Sequence, residues 1–138
     1  MSGGGSPGTA RGGAGTVIGV GTDLVDIPRF QRVLGRRPTL AARLFSADEL
    51  RYASGLSRPA QNLAGRFAVK EAVMKALGVG LGAVDWADIS TARQPGGRPQ
   101  LTVAGRAGHL AAQLGVGGWH VSISHTSTVA SAVVVAVA

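Results

Sequence analysis

The chain of 138 residues contains no cysteine. This absence excludes a disulfide framework, a thiol nucleophile, and zinc or iron–sulfur sites that are built from cysteine. Aromatic residues make up only 4% of the chain, so the core must consist mainly of alanine, valine, leucine and isoleucine. No apolar run reaches the roughly 20 residues that span a bilayer. We therefore expect a soluble protein, with the cytoplasm as the simplest compartment and no membrane partner.

The first 15 residues, MSGGGSPGTARGGAG, lack the apolar core of a signal peptide and are dominated by glycine. A segment of this composition cannot bury enough surface to fold. The sequence therefore predicts a flexible, glycine-rich tail over 1–15. The remainder, 16–138, has the length of one ordinary domain.

The net charge of +7 predicts partners that are anionic. Nucleic acid, acidic lipid surfaces, phosphates and acidic proteins all satisfy this charge. Arginines cluster at positions 29, 32, 36, 37 and 43, yet only Phe30 and Phe45 lie nearby as stacking partners for nucleic acid bases. A docking face for an acidic protein explains this cluster at least as well, and a solvated surface is the common alternative.

Apolar periodicity predicts strands and helices in mixed order. Residues 16–25 are β-branched and apolar, which indicates a buried strand, and Gly19 and Gly21 indicate that something else closely approaches its backbone. Pro28 suits the first turn of a helix. Ser46 and Glu49 have the spacing of a capping box that opens a short helix.

A central helix over 63–78 follows, with Asn62 as its expected N-cap and Gly78 as its stop. The rest of the pattern predicts a hairpin over 87–104, a helix over 105–114, and two final strands over 119–126 and 129–137. Strands and helices in this order favour an α+β fold in a single domain over a parallel, doubly wound sheet.

The only two lysines, Lys70 and Lys75, lie in the central helix beside Glu71. This clustering suggests chemistry on phosphate and metal rather than solubility. Arg66 joins them at helical spacing, and we expect all four side chains along one side of the helix.

Asp23 and Glu71 are the acids that the apolar pattern singles out, because burial of either carboxylate is costly without a cation. Mg²⁺ takes one or two carboxylates together with water and phosphate oxygens. A different role stays open for each acid. Glu71 would instead form an ion pair with Lys75 across one helical turn, and Asp23 would be only a turn or cap residue.

His125 ends the predicted strand over 119–126, between Ser124 and Thr126, where several donors for phosphate or ribose meet. His120 should point to the opposite face of that strand. The usual role of a lone strand histidine is structural. No GxSxG elbow is present, which disfavours a serine hydrolase, and the glycines at 78, 80 and 82 lack the spacing of a phosphate-binding loop.

Five segments in order resemble motifs of the holo-[acyl-carrier-protein] synthase family, the small 4′-phosphopantetheinyl transferases. They are GVGTDLVDIPRF at 19–30, FSADEL at 45–50, AGRFAVKEAVMKALG at 64–78, GGRP at 96–99 and HVSISHT at 120–126. The resemblance implies that family's fold, with a small antiparallel sheet packed with helices. It also implies transfer of the phosphopantetheine arm of coenzyme A to a serine of apo acyl carrier protein.

The resemblance further implies a Mg²⁺ site at Asp23 and Glu71, with Lys75 near the diphosphate of coenzyme A. Glu71, Lys75 and His125 are then the catalytic residues. Either Glu71 or a water molecule near the metal takes the serine proton. Arg66, Lys70, Lys75 and His125 are the implied coenzyme-binding residues.

The family likeness also implies a homotrimer with its sites between subunits, and a carrier protein whose acidic helix docks on Arg29 and Arg36. A basic, non-catalytic binding module is the alternative from another class, and for it the side chains of Asp23 and Glu71 are dispensable. An inactive scaffold subunit is disfavoured, because the acids, Lys75 and His125 are all retained.

Overall fold

The computed structural model describes residues 15–138. The tail predicted over 1–15 therefore lies outside the described residues, apart from Gly15. The elements are β1 (Val17–Asp26), α1 (Ile27–Arg36), α2 (Leu40–Leu44), α3 (Ala47–Ser54), α4 (Pro59–Leu77), a 3₁₀ turn (Trp86–Asp88), β2 (Ile89–Arg93), β3 (Pro99–Val103), α5 (Gly105–Gln113), β4 (Gly118–His125) and β5 (Val129–Val137).

Two antiparallel sheets form the β part of the fold. The larger has the strand order β1-β5-β4, and the smaller is the β2–β3 hairpin. Helix α4 packs on β1, β5 and β4, while α1, α3 and β2 pack against α4 in turn. The predicted α+β class is confirmed, and so are both predicted strand pairs in the second half of the chain.

Close contact between β1 and α4 depends on two glycines. A Cβ atom at Gly19 would overlap the carbonyl oxygen of Ala76, and one at Gly21 would overlap that of Ala72. Only glycine permits this backbone approach. The close approach predicted from these glycines is confirmed, and it brings β1 directly onto the helix.

The other face of the larger sheet is apolar and uncovered. Val20 is 55% exposed, Leu24 73% and Val133 42%. Thr22 and Val133 are directly paired, so this apolar surface runs continuously across β1 and β5. The prediction that β1 is a buried strand is therefore wrong for one of its two faces in the single chain.

Helix ends follow the local signals with one exception. Ser46 and Glu49 form the predicted capping box at the start of α3, and Gly78 ends α4 with a φ of 74°. Helix α4 begins at Pro59, however, so the prediction that Asn62 caps it is wrong. Proline has a helical φ, and the backbone N–H that it lacks would have no helical partner in the first turn. The helix can therefore start a turn earlier, at Pro59.

Helix α4 lies at the centre of the molecule and is buried on most of its surface. Ala64, Ala68, Val69, Ala72 and Val73 are all inaccessible. The aromatic side chains form a short stack along the helix, in which Phe67 lies 5.4 Å from Phe30 and 5.3 Å from Trp86, measured between ring centroids. No helix within 15–138 is both long and apolar enough to cross a membrane.

Candidate active site

Asp23 and Lys75 meet where β1 crosses the end of α4. Asp23 follows Gly21 by two residues, so its side chain points to the same face, towards the helix. Lys75 Nζ lies 3.2 Å from Asp23 Oδ1 and donates a hydrogen bond of 2.9 Å to the carbonyl oxygen of Thr22. Among the ion pairs within 15–138, the one formed by Lys75 is with Asp23. The alternative in which Lys75 pairs with Glu71 is therefore wrong.

Glu71 lies close enough to Asp23 and Lys75 for both charges to shift the pKa of its carboxyl. Partial burial raises the pKa of the Glu71 carboxyl, and the neighbouring Asp23 carboxylate raises it further, while Lys75 opposes both effects. Two carboxylates thus repel each other beside a single ammonium group. A divalent cation would relieve that repulsion, because it attracts both carboxylates at once.

Within the described part of the chain, no group of three or more histidine, aspartate or glutamate side chains could hold a metal ion. A pair of carboxylates is nevertheless a sufficient protein contribution for Mg²⁺, which keeps several waters and takes substrate phosphates as further ligands. The Asp23–Glu71 corner therefore fits a hard cation that is shared with a phosphorylated substrate.

A basic cleft of about 280 Å³ lies at the other end of α4. Gly65 and Ile123 form part of its wall, and a Cβ at Gly65 would come within 3.1 Å of Ile123. The cleft is lined by Tyr52, Leu56, Ser57, Arg58, Gln61, Asn62, Gly65, Arg93, Ile123 and His125. Two arginines and a histidine at one small cleft suit an anionic ligand.

The Asp23–Glu71 corner and the basic cleft share one face of the sheet. Asp23 and Ile123 both pair with Ala132 on β5, and His125 lies two residues beyond Ile123 on β4. Strand spacing and rise then place the Cα atoms of Asp23 and His125 roughly 12 Å apart. A ligand with several phosphates can therefore contact both ends of the site.

Lys70 and Arg66 point away from the Asp23–Glu71 corner. Lys70 is 1% exposed and lies 3.0 Å from Glu49 Oε1. The expectation that all four charged side chains of α4 lie along one side is wrong, since Arg66 and Lys70 meet Glu49 while Lys75 meets Asp23. The placement of Lys70 also disagrees with its implied contact with the coenzyme.

Burial lowers the pKa of both buried cations. For Lys70 and for Arg66, loss of solvent is the largest effect, and the Glu49 carboxylate acts in the opposite direction. One carboxylate therefore compensates two desolvated cations only in part.

Arg66 reaches the border of a second cleft, of about 310 Å³, which Tyr52 and Arg93 share with the first. Its Nη1 donates to the carbonyl oxygen of Thr91. Its guanidinium carbon lies 5.0 Å from the centroid of the Tyr52 ring. Arg66 thus lies beside the cleft that is lined by His125, another of the implied coenzyme-binding residues.

Sequence reasoning did not identify Glu49, Arg58 or Arg93 as residues of this region. Glu49 is fully explained by its capping box, so its second contact, with Lys70, leaves no separate signal in the pattern. Arg58 and Arg93 come together at the cleft only through packing of α4 against the strands, which no local spacing reveals.

The predicted docking residues, Arg29 and Arg36, lie exposed on α1. Asp26 caps this helix by accepting a hydrogen bond of 2.9 Å from the backbone N–H of Arg29. A third cleft, of about 300 Å³, lies between α1 and the start of α4 and shares Arg58 with the first. The basic helix is therefore adjacent to the basic cleft.

Comparison with known proteins identifies the class. A family model described as "ACPS: 4′-phosphopantetheinyl transferase superfamily" matches residues 19–135. The holo-[acyl-carrier-protein] synthase of Streptomyces coelicolor is 48% identical over 121 residues, covering 88% of this chain and 98% of the relative. The protein of that name from Moorella thermoacetica is 47% identical over 117 residues, covering 85% and 91%.

Solved structures agree with these relatives. The holo-[acyl-carrier-protein] synthase of Neisseria meningitidis superimposes with a TM-score of 0.80 at 30% identity, covering 88% of this chain and 98% of that one. The Bacillus anthracis enzyme, solved in complex with CoA (3′,5′-ADP), gives a TM-score of 0.73 at 32% identity, covering 88% and 96%. The chain belongs to the 4′-phosphopantetheinyl transferase superfamily. Within it, the predicted fold and the predicted enzyme class, holo-[acyl-carrier-protein] synthase, are confirmed.

Proposed function

We propose that this chain transfers the 4′-phosphopantetheine arm of coenzyme A to a serine hydroxyl of an apo acyl carrier protein. The serine oxygen forms a bond to the β-phosphorus, the bond from that phosphorus to the α-phosphate oxygen breaks, and adenosine 3′,5′-bisphosphate leaves. The observation that supports the assignment most strongly is the corner in which Lys75 contacts Asp23 beside a repelled Glu71 carboxylate.

Asp23 and Glu71 are the residues that we assign to Mg²⁺. When bound there, the cation neutralises charge on the diphosphate and on the leaving group. Lys75 supplies positive charge to the same phosphates, and its existing bond to the carbonyl of Thr22 orients its ammonium group before substrate binds. We assign removal of the serine proton to Glu71, directly or through a water molecule.

The basic cleft is our proposed binding site for the nucleotide end of coenzyme A. His125 and Arg66, both implied by the family motifs, line this cleft or the one beside it. Arg58 and Arg93 add two further charges that suit phosphate groups. Lys70 has no part in this contact, because the residues around it already bind its ammonium group.

The carrier protein is proposed to dock through an acidic helix on the exposed arginines of α1, which include Arg29 and Arg36. Opposite charges on the two surfaces speed the encounter and favour the correct orientation. Because α1 lines the third cleft, which shares Arg58 with the basic cleft, a carrier bound there brings its serine near the coenzyme. The cytoplasm is the compartment that we propose for this reaction.

A homotrimer with its sites between subunits is the assembly that we propose. Its support is the uncovered apolar face of the larger sheet, on which Val20, Leu24 and Val133 are exposed in the single chain. Apolar surface of this extent marks an interaction site in most proteins. A second copy of the chain is the occupant that the family likeness favours.

The reaction can be followed by chromatography of adenosine 3′,5′-bisphosphate released from coenzyme A. We expect release that requires both apo carrier protein and Mg²⁺, and that falls by at least about a hundredfold in Glu71→Gln. Asp85→Asn is the matched control, because Asp85 is an exposed acid that pairs with Arg106. Equal release by Glu71→Gln, or none by the wild-type protein with several carrier proteins, would contradict the proposal.

A further inference from the structure

Three charged side chains form a buried cluster between α3 and α4. Glu49 is 3% exposed, Arg66 4% and Lys70 1%. Charged residues are almost never buried to this extent unless they are paired. Here two cations share a single carboxylate, so the cluster has a surplus positive charge.

All hydrogen-bond donors of the Lys70 ammonium group are used by acceptors in the protein. Its ammonium group lies 3.0 Å from Glu49 Oε1, donates 3.1 Å to the carbonyl of Trp86, and also donates to the carbonyl of Ile89. An ammonium group has three N–H donors, and all three are used. No donor remains for a phosphate.

Glu49 is bound more tightly to Lys70 than to Arg66. Its Oε1 accepts from Lys70 and, at 3.0 Å, from the backbone N–H of Ser46. Its Oε2 accepts at 3.4 Å from the backbone N–H of Thr91 and lies 3.8 Å from Arg66 Nη1. The last distance is longer than a hydrogen bond.

Arg66 is therefore the less engaged cation. The carbonyl of Thr91 is the acceptor that residues 15–138 supply to its guanidinium group. A guanidinium has five N–H donors. The side chain borders the cleft that holds Arg93 and Tyr52, so unused donors and the surplus charge lie next to the proposed coenzyme-binding site.

We propose that Lys70 is a positioning residue whose ammonium group neutralises Glu49 and thereby keeps Arg66 available to the coenzyme cleft. This inference rests on the proposed function, because it concerns Arg66, which lines the cleft beside the one assigned to coenzyme A. Without Lys70, the nearest cation to the buried Glu49 carboxylate is Arg66, and a desolvated carboxylate holds an arginine strongly. Lys70 thus acts on coenzyme binding through two other residues and does not touch the ligand.

Titration calorimetry of the full chain with coenzyme A and Mg²⁺ tests this inference through a double-mutant cycle. Lys70→Met should weaken coenzyme binding by about tenfold, because Glu49 then captures Arg66. Adding Glu49→Gln to that variant should restore the dissociation constant to within about threefold of wild type. Glu49→Gln alone should also stay within about threefold, since Lys70 keeps its two carbonyl acceptors.

Other roles for Lys70 give different patterns. A direct contact between Lys70 and phosphate predicts that Glu49→Gln restores nothing, and this result would overturn the inference. If Lys70 has only a structural role, the variants that lose most melting temperature should also bind coenzyme A most weakly, and the double variant should be the weakest. This result would also overturn the inference. Circular dichroism identifies variants that do not fold.

If Lys70→Met does not fold, coenzyme binding by the single variant Glu49→Gln still tests the inference. A dissociation constant within about threefold of wild type supports the inference, and a tenfold weakening in a folded protein overturns it. Absence of coenzyme binding by the wild-type protein would overturn the proposed function itself. Binding by wild type without restoration in the double variant would overturn the inference alone.

Discussion

The two lysines of the central helix have different surroundings although only one helical turn and a residue separates them. Lys75 is exposed and contacts Asp23, whereas Lys70 is buried and contacts Glu49. Their clustering in the sequence correctly indicated a site on α4. It could not separate their roles, because 100° per residue places the two lysines about 140° apart around the helix, where each meets neighbours that lie far away in sequence.

Glu71 should destabilise the protein in the absence of metal. Since its pKa is raised in the folded state, its stabilising contribution is present below the unfolded pKa and is lost as pH rises through the folded pKa. At neutral pH, Glu71→Gln should therefore leave the melting temperature unchanged or raise it by about 1–3 °C.

This difference should shrink as pH falls towards the unfolded pKa of glutamate, where the wild-type carboxyl is protonated and no longer repels Asp23. Differential scanning fluorimetry in EDTA at several pH values measures it. Asp85→Asn is again the control for loss of an exposed acid. A clear drop in melting temperature for Glu71→Gln at neutral pH would contradict the charge repulsion described for this corner.

At the level of elements, most of the fold follows from local signals. The capping box of α3 and the left-handed Gly78 depend on a few adjacent residues, so the sequence predicted them. The start of α4 was misplaced because Asn62 is a good cap by composition while Pro59 permits an earlier start. The short helix α2 and the 3₁₀ turn were not predicted, since each has too few residues for a periodic pattern.

The contact between β1 and α4 predicts a large effect for one glycine substitution. Gly21→Ala should lower the free energy of unfolding by about 1–3 kcal/mol, because the added methyl group forces the strand away from the Ala72 carbonyl. Asp23 lies two residues further along, so the Mg²⁺ concentration needed for half-maximal activity should also rise. Urea denaturation and a Mg²⁺ titration of the reaction measure the two effects.

Gly35 on α1 provides the matched control, since a Cβ there meets nothing within 4 Å. Gly35→Ala should be neutral or stabilising by roughly 0.5–1 kcal/mol, as expected for alanine in a helix. Equal effects of the two substitutions would show that the close approach of β1 to α4 is not what requires glycine.

At the level of the whole molecule, the single chain leaves one face of its larger sheet without a partner. The sequence predicted an apolar strand over 16–25 but not that half of it faces outward. In this apolar run, one face carries Val20, Thr22 and Leu24 and the other carries glycines. The sequence pattern does not show which of these two faces is exposed. In the proposed trimer a second copy of the chain covers that outer face, and no local sequence pattern describes such a contact.

Val133→Arg should dissociate the proposed trimer, because an arginine on this face cannot be buried without a partner. Light scattering after size exclusion should give three times the chain mass of 13.9 kDa for wild type and a smaller mass for the variant. Leu81→Arg is the control, since Leu81 is an exposed apolar residue outside the strands, between α4 and the 3₁₀ turn. A monomeric wild type, or dissociation by both variants, would contradict the proposed interface.

The net charge of +7 predicts that the proposed carrier docking is sensitive to salt. Raising ionic strength from about 0.05 to 0.5 M should raise the KM for carrier protein several-fold, because exposed charges are screened. The variant with Arg29→Gln and Arg36→Gln should show a higher KM at low salt and a weaker salt dependence. An unchanged KM in that variant would exclude α1 as the docking face.

The most direct test of the central claim is the intact mass of an apo acyl carrier protein after incubation with this protein, coenzyme A and Mg²⁺. Our account predicts a mass gain of one phosphopantetheine arm, which is lost with EDTA and with Glu71→Gln but retained with Asp85→Asn. No gain across several carrier proteins, from a chain shown to be folded, would contradict the transferase assignment. A gain that persists in Glu71→Gln would contradict the metal site.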